Sequence, residues 1–346
     1  MSLRTYLAAA PKVELHVHLE GSILPETLLE LARRNSRSLP HDTVEGLREW
    51  FVFRDFRHFI EIYGAVSRCI RSVDDYELIA HEFGREMARQ NVRYAEVTFS
   101  PFFHAYHGVP MESYVGGLLR GRDRARRDFG VDFNFVFDII RGWGTDQAYC
   151  SDYTTRVAIE CRGAGVVALG LGGLELGNPP EPFAPWFERA KAAGLKSAPH
   201  AGETDGPASV RGALEVLGAD RIGHGVRAIE DPLVVAELIR RRVALEVNPT
   251  SNVRLGVYPS IEQHPFRRLH DAGVIVTVNS DDPPLFNTTL TDEVQLLAEG
   301  FGFDLEQIDQ ILLNGARRSF LPEARRQALE AGLRDELTRL KAEHLA

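Results

Sequence analysis

Short apolar segments alternate with longer segments of helical periodicity along almost the whole chain. Eight short segments are apolar without strict polar alternation, which is typical of strands buried on both faces of a parallel sheet. These segments are residues 13–18, 92–101, 132–140, 166–175, 195–203, 221–226, 244–251 and 274–283. Apolar residues recur at helical spacing within residues 76–90, 111–128, 182–193, 208–217 and 232–241. The eightfold alternation predicts a closed (β/α)8 barrel of the TIM type, with an open doubly wound sheet as the alternative.

Two regions do not fit the strand–helix repeat. Residues 24–75 follow the first predicted strand and contain several helical patterns, so we expect a helical cap insertion over the barrel mouth. Residues 322–346 are rich in Ala, Glu, Leu and Arg and predict one or two terminal helices. A chain of 346 residues without a low-complexity linker suits one barrel. We therefore predict a single domain over residues 1–346.

Composition restricts the possible partners and the compartment. The formal net charge is −9, and the one basic run, residues 120–127, lies in a helical pattern and suits a solvated face. We therefore expect neither a nucleic-acid nor a membrane partner, and no apolar run is long enough to span a bilayer. The N-terminus is a poor signal peptide. With only three cysteines, these features predict a cytoplasmic protein.

Histidines and acids fall repeatedly at the ends of predicted strands, where barrels of this type place their active sites. His16 and His18 close the first strand and share a face because they are two residues apart. His200 ends the fifth strand and Asp281 the eighth. Three imidazoles and a carboxylate suit Zn²⁺ and leave a position for water, although other divalent ions favour similar ligands. We predict one Zn²⁺ per chain bound by these four residues.

Three further residues complete a hydrolytic site, because a bound divalent metal brings the pKa of water toward neutrality. His224, flanked by glycines, is predicted to be the base that orients this water, or alternatively a fifth ligand or a core residue. Glu203 follows His200 by three residues, and a partly desolvated pocket would raise its pKa and let it donate a proton. Its alternative is a helix N-terminal acid. Asp282 is expected to hydrogen-bond the substrate, or else to be a turn residue.

These residues lie in segments that resemble the adenosine deaminase family of the amidohydrolase superfamily. The resemblance implies that Glu203 protonates N1 of a purine as hydroxide adds at C6, while His224 acts on the water. It also implies that Asp282 hydrogen-bonds N7 and that the backbone N–H of Gly173 meets N3. The matching segments are PKVELHVHLEGS (11–22), HAGE (200–203), RIGHG (221–225), EVNPTSN (246–252) and SDDP (280–283).

The resemblance leaves the choice of aminopurine open. It makes His18 and Glu20 substrate-binding residues; adenosine deaminases usually carry Asp at the position of Glu20, and adenine deaminases usually carry Glu. However, Thr204 stands where adenine deaminases place a second Glu, and Gly223 where they tend to have Asp. We therefore expect adenosine and 2′-deoxyadenosine to be converted to inosine and 2′-deoxyinosine. The alternatives are adenine and an N6- or 5′-modified adenosine such as aminodeoxyfutalosine, and both a monomer and a homodimer remain open.

Two other classes of function are weaker interpretations of the same residues. Amide or phosphoester hydrolysis on this scaffold would use two metals, yet no lysine stands at the end of the fourth strand to bridge them. A non-catalytic relative would be expected to have lost ligands or acid–base groups, and none is missing.

Overall fold

Eight parallel strands, β1 to β8, form a barrel in the computed structural model, which describes residues 2–345. The strands are Lys12–His18, Val92–Phe99, Asp132–Arg141, Val166–Gly173, Lys196–Ala201, Arg221–His224, Ala244–Val247 and Val276–Val278. Each strand pairs with the next in sequence order. A parallel bridge between Val17 and Asp281 brings the end of β8 back to β1. The predicted (β/α)8 TIM barrel is therefore confirmed.

Helices surround the barrel, and many begin at a proline in the first turn or at a Ser, Thr or Asp whose side chain accepts a backbone N–H. In chain order, α1 to α17 are Leu3–Ala9, Pro25–Arg34, Val44–Trp50, Phe56–Ser67, Val73–Arg89, Pro101–Tyr106, Met111–Phe129, Gln147–Glu160, Ala184–Ala192, Pro207–Glu215, Pro232–Arg241, Pro249–Arg254, Phe266–Asp271, Pro283–Phe286, Leu290–Glu299, Leu305–Arg318 and Glu323–His344. Three of them, α2 to α4, lie between β1 and the helix α5. The C-terminal segment forms the single long helix α17.

The helix α8 was not predicted from the pattern of apolar residues. Its buried face includes Cys150, Ser151, Thr154 and Thr155, so few large aliphatic side chains mark the helical period. Ser151 and Thr155 instead donate their hydroxyls to carbonyls one turn earlier in the helix. A helix whose buried face is small and polar gives a weak periodic signal.

Several strands end earlier than the apolar segments suggest. The fifth, seventh and eighth strands end at Ala201, Val247 and Val278, and the following backbone turns away. Gly202 and Asp281 both have positive φ, at 69° and 64°, which ends the extended conformation. Glu203 and Asp282 therefore lie in bends beyond the strands, and Asp281 lies beyond β8 in the bridge to Val17.

The barrel interior below the strand ends contains a buried ion cluster centred on Arg221. Its Nη2 lies 2.7 Å from Glu96 Oε2, and its Nε donates to Glu246 Oε1. The guanidinium also lies 3.6 Å from the ring centroid of Phe320. These charges are paired with one another within the fold, beneath the strand ends. Within residues 2–345, none of the helices combines the length and apolar character needed to cross a membrane.

Candidate active site

The structure brings the four predicted metal ligands together at the carboxyl ends of β1, β5 and β8. His18 Nε2 lies 3.3 Å from His200 Nε2. Asp281 Oδ1 lies 3.5 Å from His16 Nε2 and 3.4 Å from His18 Nε2. Two ligand atoms bound tetrahedrally to zinc at about 2.1 Å are about 3.4 Å apart. These three distances fit ligands of one ion of this size. Two overlapping groups of side chains have ligand atoms within 4.8 Å of one another, namely His16 with His18 and Asp281, and His16 with His200 and His224.

The hydrogen bonding of the histidines also fits a cation. His16 Nε2 is buried, and no group within residues 2–345 forms a hydrogen bond with it. A buried polar atom without a partner is costly, and a metal at this point would remove the cost. Burial lowers the pKa of His18 and of His200, so both rings are neutral and can offer a lone pair.

Two polar residues hold the ligands in place from behind. Glu246 Oε2 lies 2.9 Å from His16 Nδ1, and Ser251 Oγ donates to Asp281 Oδ2 at 2.6 Å. Arg221 and His16 hold the pKa of Glu246 below its ordinary value although burial alone would raise it. Such outer contacts fix the orientation of ligands and are part of a metal site. Both residues lie in the 246–252 segment, but sequence reasoning assigned them no role.

Glu203 is buried beside the ligands, in a tight turn after β5. Burial raises its pKa to about 8, with a further contribution from the Asp281 carboxylate, so the carboxyl group holds its proton at neutral pH. Glu175, which sequence reasoning did not single out, anchors this turn. Its carboxylate accepts backbone N–H groups from the four consecutive residues 202–205, at 2.6 to 3.0 Å. The position of Glu203 is therefore fixed by main-chain contacts.

His224 lies at the end of β6, and a chain of hydrogen bonds fixes its tautomer. The backbone N–H of Phe266 donates to His264 Nδ1, so His264 carries its hydrogen on Nε2 and donates to Asn252 Oδ1 at 3.0 Å. Asn252 Nδ2 then donates to His224 Nδ1, also at 3.0 Å.

Since burial lowers the pKa of His224 to about 3, its ring is neutral and the remaining hydrogen is on Nε2. That atom lies 3.7 Å from Glu203 Oε1 and 3.8 Å from Asp281 Oδ2. His224 therefore presents a hydrogen-bond donor to the site.

Asp281 and Asp282 face the same cavity although they are neighbours in sequence. Strict strand geometry would point them to opposite sides. The left-handed backbone at Asp281, with φ of 64°, turns the chain so that both carboxylates line the cavity. Asp282 Oδ1 is buried without a hydrogen-bond partner within residues 2–345, and a Cβ on Gly21 would lie 1.6 Å from it. Only glycine at position 21 leaves room for this carboxylate.

The two remaining predicted substrate contacts differ in their placement. Gly173 lines the cavity at the end of β4, with a φ of 81° that favours glycine. Glu20 lies behind the cavity wall and is fully buried. Its Oε1 accepts from the backbone N–H of Ser100 and lies 3.1 Å from His104 Nε2, while its Oε2 has no partner within the described chain.

A cavity of about 430 Å³ opens from the predicted metal ligands toward the helix α4. Its far wall is mainly apolar and is lined by residues that sequence reasoning did not single out. A volume of this size is in the range of sites for small organic ligands, roughly 300 to 1,000 Å³. The apolar and aromatic residues of the wall are Phe56, Phe59, Ile60, Tyr63, Phe103, Ile140, Trp143, Leu174 and Leu255.

Comparison with known proteins adds independent findings. A family model described as adenosine deaminase matches residues 11–336. The chain is 40% identical over 331 residues to the aminodeoxyfutalosine deaminase of Streptomyces avermitilis, covering 95% of this chain and 92% of that protein. It is 38% identical over 322 residues to the adenine deaminase of Cupriavidus necator, covering 93% and 90%. The crystal structure of an amidohydrolase from Burkholderia ambifaria with bound Zn matches with a TM-score of 0.90 and 27% identity, covering 99% and 95%.

Proposed function

Because this chain belongs to the adenosine deaminase family and is a hydrolase that removes an amino group from a purine, we propose that its substrate is an adenine nucleoside extended at the 5′ position. Aminodeoxyfutalosine is a substrate of this kind. The sequence favours unmodified adenosine as the substrate. The comparisons support deamination of a purine but do not single out adenosine. The relatives agree better with the alternatives, adenine and a modified nucleoside.

The observation that carries this proposal is the shape of the cavity. It begins at the metal ligands and continues to an apolar wall that includes Phe59 and Ile60 of α4. A purine placed with C6 at the ligands leaves this wall for a further substituent. We propose that the helices within residues 24–75 act as the cap that encloses this part of the substrate. Free adenine would leave that wall without a partner.

The charges along the cavity argue against a nucleotide. Arg141 is the one cationic side chain in the wall within residues 2–345, and its N–H groups already donate to the carbonyls of Gly172, Asn178 and His200. A phosphate would therefore find no free cationic side chain in this wall to pair with. The acidic side chains that line the cavity are Asp138, Glu203, Asp281 and Asp282.

We assign the metal site to one Zn²⁺ held by His16, His18, His200 and Asp281. The buried, unpaired Nε2 of His16 and the spacing of the ligand atoms support this assignment. A zinc ion at this point supplies a nucleophile at neutral pH and stabilises negative charge on oxygen.

In the proposed reaction, Glu203 transfers protons and His224 orients the attacking water. Glu203, with its raised pKa, gives its proton to N1 of the purine, which makes C6 electrophilic, and recovers a proton from the attacking water. The donor on His224 Nε2 orients the water oxygen toward C6. The new C6–O bond replaces the C6–N bond, and the second water proton leaves with the amino group as ammonia. The products are the 6-oxopurine and ammonia.

Asp282 and Gly173 orient the purine plane. Burial, reinforced by the neighbouring Asp281, raises the pKa of Asp282. This shift favours the protonated form, and we assign its O–H as the donor to the acceptor N7. The backbone N–H of Gly173 is assigned to N3, on the opposite edge of the purine. His18, which also lines the cavity, contacts the substrate beside the metal.

Adenine is the second candidate, and it is favoured by Glu20 and by the Cupriavidus relative. A substrate panel separates the two candidates. Zinc-loaded protein is assayed for ammonia release with aminodeoxyfutalosine, adenosine, 2′-deoxyadenosine, N6-methyladenosine and adenine. We expect kcat/KM to be at least about tenfold higher for the 5′-extended nucleoside than for adenine, equivalent to about 1.4 kcal/mol of extra binding. A preference for adenine would overturn the proposal, and ammonia release from none of the five would overturn both candidates.

A further inference from the structure

One carboxylate in the cavity wall has no part in the chemistry proposed above. Asp138 lies near the end of β3, is only 2% exposed, and lines the cavity. Its Oδ1 accepts a hydrogen bond from Ser100 Oγ at 2.7 Å. Within residues 2–345, no other residue donates a hydrogen bond to its second oxygen, Oδ2. Because Asp138 lines the cavity, a ligand that enters can reach this oxygen and donate to it.

The neighbouring strand is shaped around this carboxylate. A Cβ on Gly172 of β4 would lie 2.5 Å from Asp138 Oδ2, and a Cβ on Gly170 would lie 3.0 Å from Asp138 Cβ. Any side chain at position 172 would therefore push Oδ2 from its place. Glycine at both positions keeps the carboxylate at the surface of the cavity.

Ser100 connects Asp138 to Glu20. Its backbone N–H donates to Glu20 Oε1 at 3.1 Å while its hydroxyl donates to Asp138. Burial raises the pKa of Asp138 to about 7, and the charge of nearby Glu20 acts in the same direction. A ligand hydroxyl that donates to Oδ2 would add a hydrogen bond to this carboxylate. The Asp138 carboxylate therefore suits a ligand that brings a hydroxyl group.

The position of Asp138 relative to the purine indicates which part of a ligand it meets. The proposed function assigns N3 of the purine to Gly173, and β3 pairs directly with β4, with Arg141 opposite Gly173. N3 lies on the same edge of the purine as N9, the atom that carries the sugar of a nucleoside. The sugar would therefore project toward the β3 side of the cavity, where Asp138 lies.

We propose, resting on the function proposed above, that Asp138 is a specificity-determining residue whose Oδ2 accepts a hydrogen bond from a ribose hydroxyl. Ser100 is a positioning residue that holds this carboxylate through Oδ1. Adenine has no hydroxyl to offer, so Asp138 discriminates nucleosides from the free base and ribose from the deoxy sugar that lacks the contacted group.

The test removes the two partners of this hydrogen bond separately and together. The kcat/KM of the zinc-loaded wild type, Asp138→Ala and Asp138→Asn is measured with adenosine, 2′-deoxyadenosine and 3′-deoxyadenosine. Loss of a hydrogen bond to a charged group lowers kcat/KM by roughly 10- to 100-fold. We expect Asp138→Ala to lose about this factor with adenosine, mainly through KM. With the wild type, kcat/KM for one of the two deoxy analogues should be lower than for adenosine by a similar factor. With Asp138→Ala, kcat/KM for that analogue should be little lower than for adenosine.

The controls separate a local effect from a folding defect. Asp138→Asn keeps the shape of the side chain, so it reports on the contact if Asp138→Ala is unstable. Asp309 is also buried, but it accepts a hydrogen bond from Tyr6 outside the cavity. Asp309→Asn should therefore leave kcat/KM for all three nucleosides unchanged.

Equal losses with all three nucleosides would overturn the role of Asp138 and leave the proposed function intact. A wild type that deaminates neither these nucleosides nor any 5′-substituted adenosine would overturn the proposed function together with this inference.

Discussion

The two sides of the cavity are built on different principles. On the metal side, the ligands stand at strand ends and are held from behind by Glu246 and Ser251, above the paired Arg221 cluster. On the opposite side, α4 and the ends of β2 and β3 supply apolar side chains and the carboxylate of Asp138, which Ser100 holds through Oδ1. Side chains of the fold orient the groups on the metal side, whereas the opposite side offers its groups to a ligand in the function proposed above. Reaction and substrate choice are therefore assigned to separate parts of the fold.

The largest effect is expected from removing a ligand on the metal side. His16→Ala deletes one of the four ligands and leaves Glu246 without its partner, so zinc binding and deamination should both fall to background. Metal content by elemental analysis and ammonia release provide the measurements. Wild-type protein stripped by a chelator should lose activity in the same way and regain it with zinc. Full activity in a metal-free variant would contradict the account.

Replacing the proton donor should leave the metal in place. Glu203→Gln keeps the size of the side chain but cannot transfer a proton, so kcat should fall by about 10² to 10⁴-fold with unchanged zinc content. Glu293→Gln is a matched control, because Glu293 is equally buried and bonds Thr288 away from the cavity. Retained turnover in Glu203→Gln would remove this residue from the mechanism.

The pH dependence of the rate follows from the same carboxyl group. Glu203 must be protonated to donate, and its raised pKa of about 8 keeps the proton at neutral pH and releases it as the pH rises. A bound dication opposes this shift, so kcat should decline with an apparent pKa at or below about 8, approaching tenfold per pH unit. The profile is measured from pH 5 to pH 10 with a pH-stable enzyme control. A rate that still rises above about pH 9 would be inconsistent with this role.

A smaller effect is expected from the support behind the ligands. Glu246→Gln removes the carboxylate that contacts His16 and Arg221, and metal affinity should fall by about 10- to 100-fold. Zinc titration against a competing chelator measures the change. Because this residue lies on the metal side, kcat/KM at limiting zinc should fall by the same factor for all substrates. A change in substrate preference would contradict the assignment of reaction and substrate choice to separate sides of the cavity.

The smallest effect is expected from the apolar wall. Trp143 lines the cavity and packs against Phe102 and Tyr106. Trp143→Ala should raise KM for a 5′-extended nucleoside about tenfold and leave KM for adenosine nearly unchanged. Tyr149→Ala serves as the control, since Tyr149 also packs on Phe102 but does not line the cavity. Equal changes in KM for both substrates would show that the apolar wall does not determine substrate preference.

The sequence was informative about the metal side because each of its residues stands in a short recognisable segment. The His16–His18 spacing and the strand ends indicate one barrel mouth, and the eight strands are all present. Asp138 and Glu175 gave no signal because their partners are distant in sequence: Glu175 accepts from residues 27 or more positions later. The tautomer of His224 likewise depends on His264 and Asn252, which meet it only in the folded chain.

The most direct test is a crystal structure of zinc-loaded Glu203→Gln with adenosine bound, using anomalous scattering at the zinc edge. We expect one zinc peak bonded to His16, His18, His200 and Asp281, with C6 of the purine at the metal and the ribose against Asp138. A zinc peak at other residues, or a purine whose sugar points away from β3, would contradict this expectation.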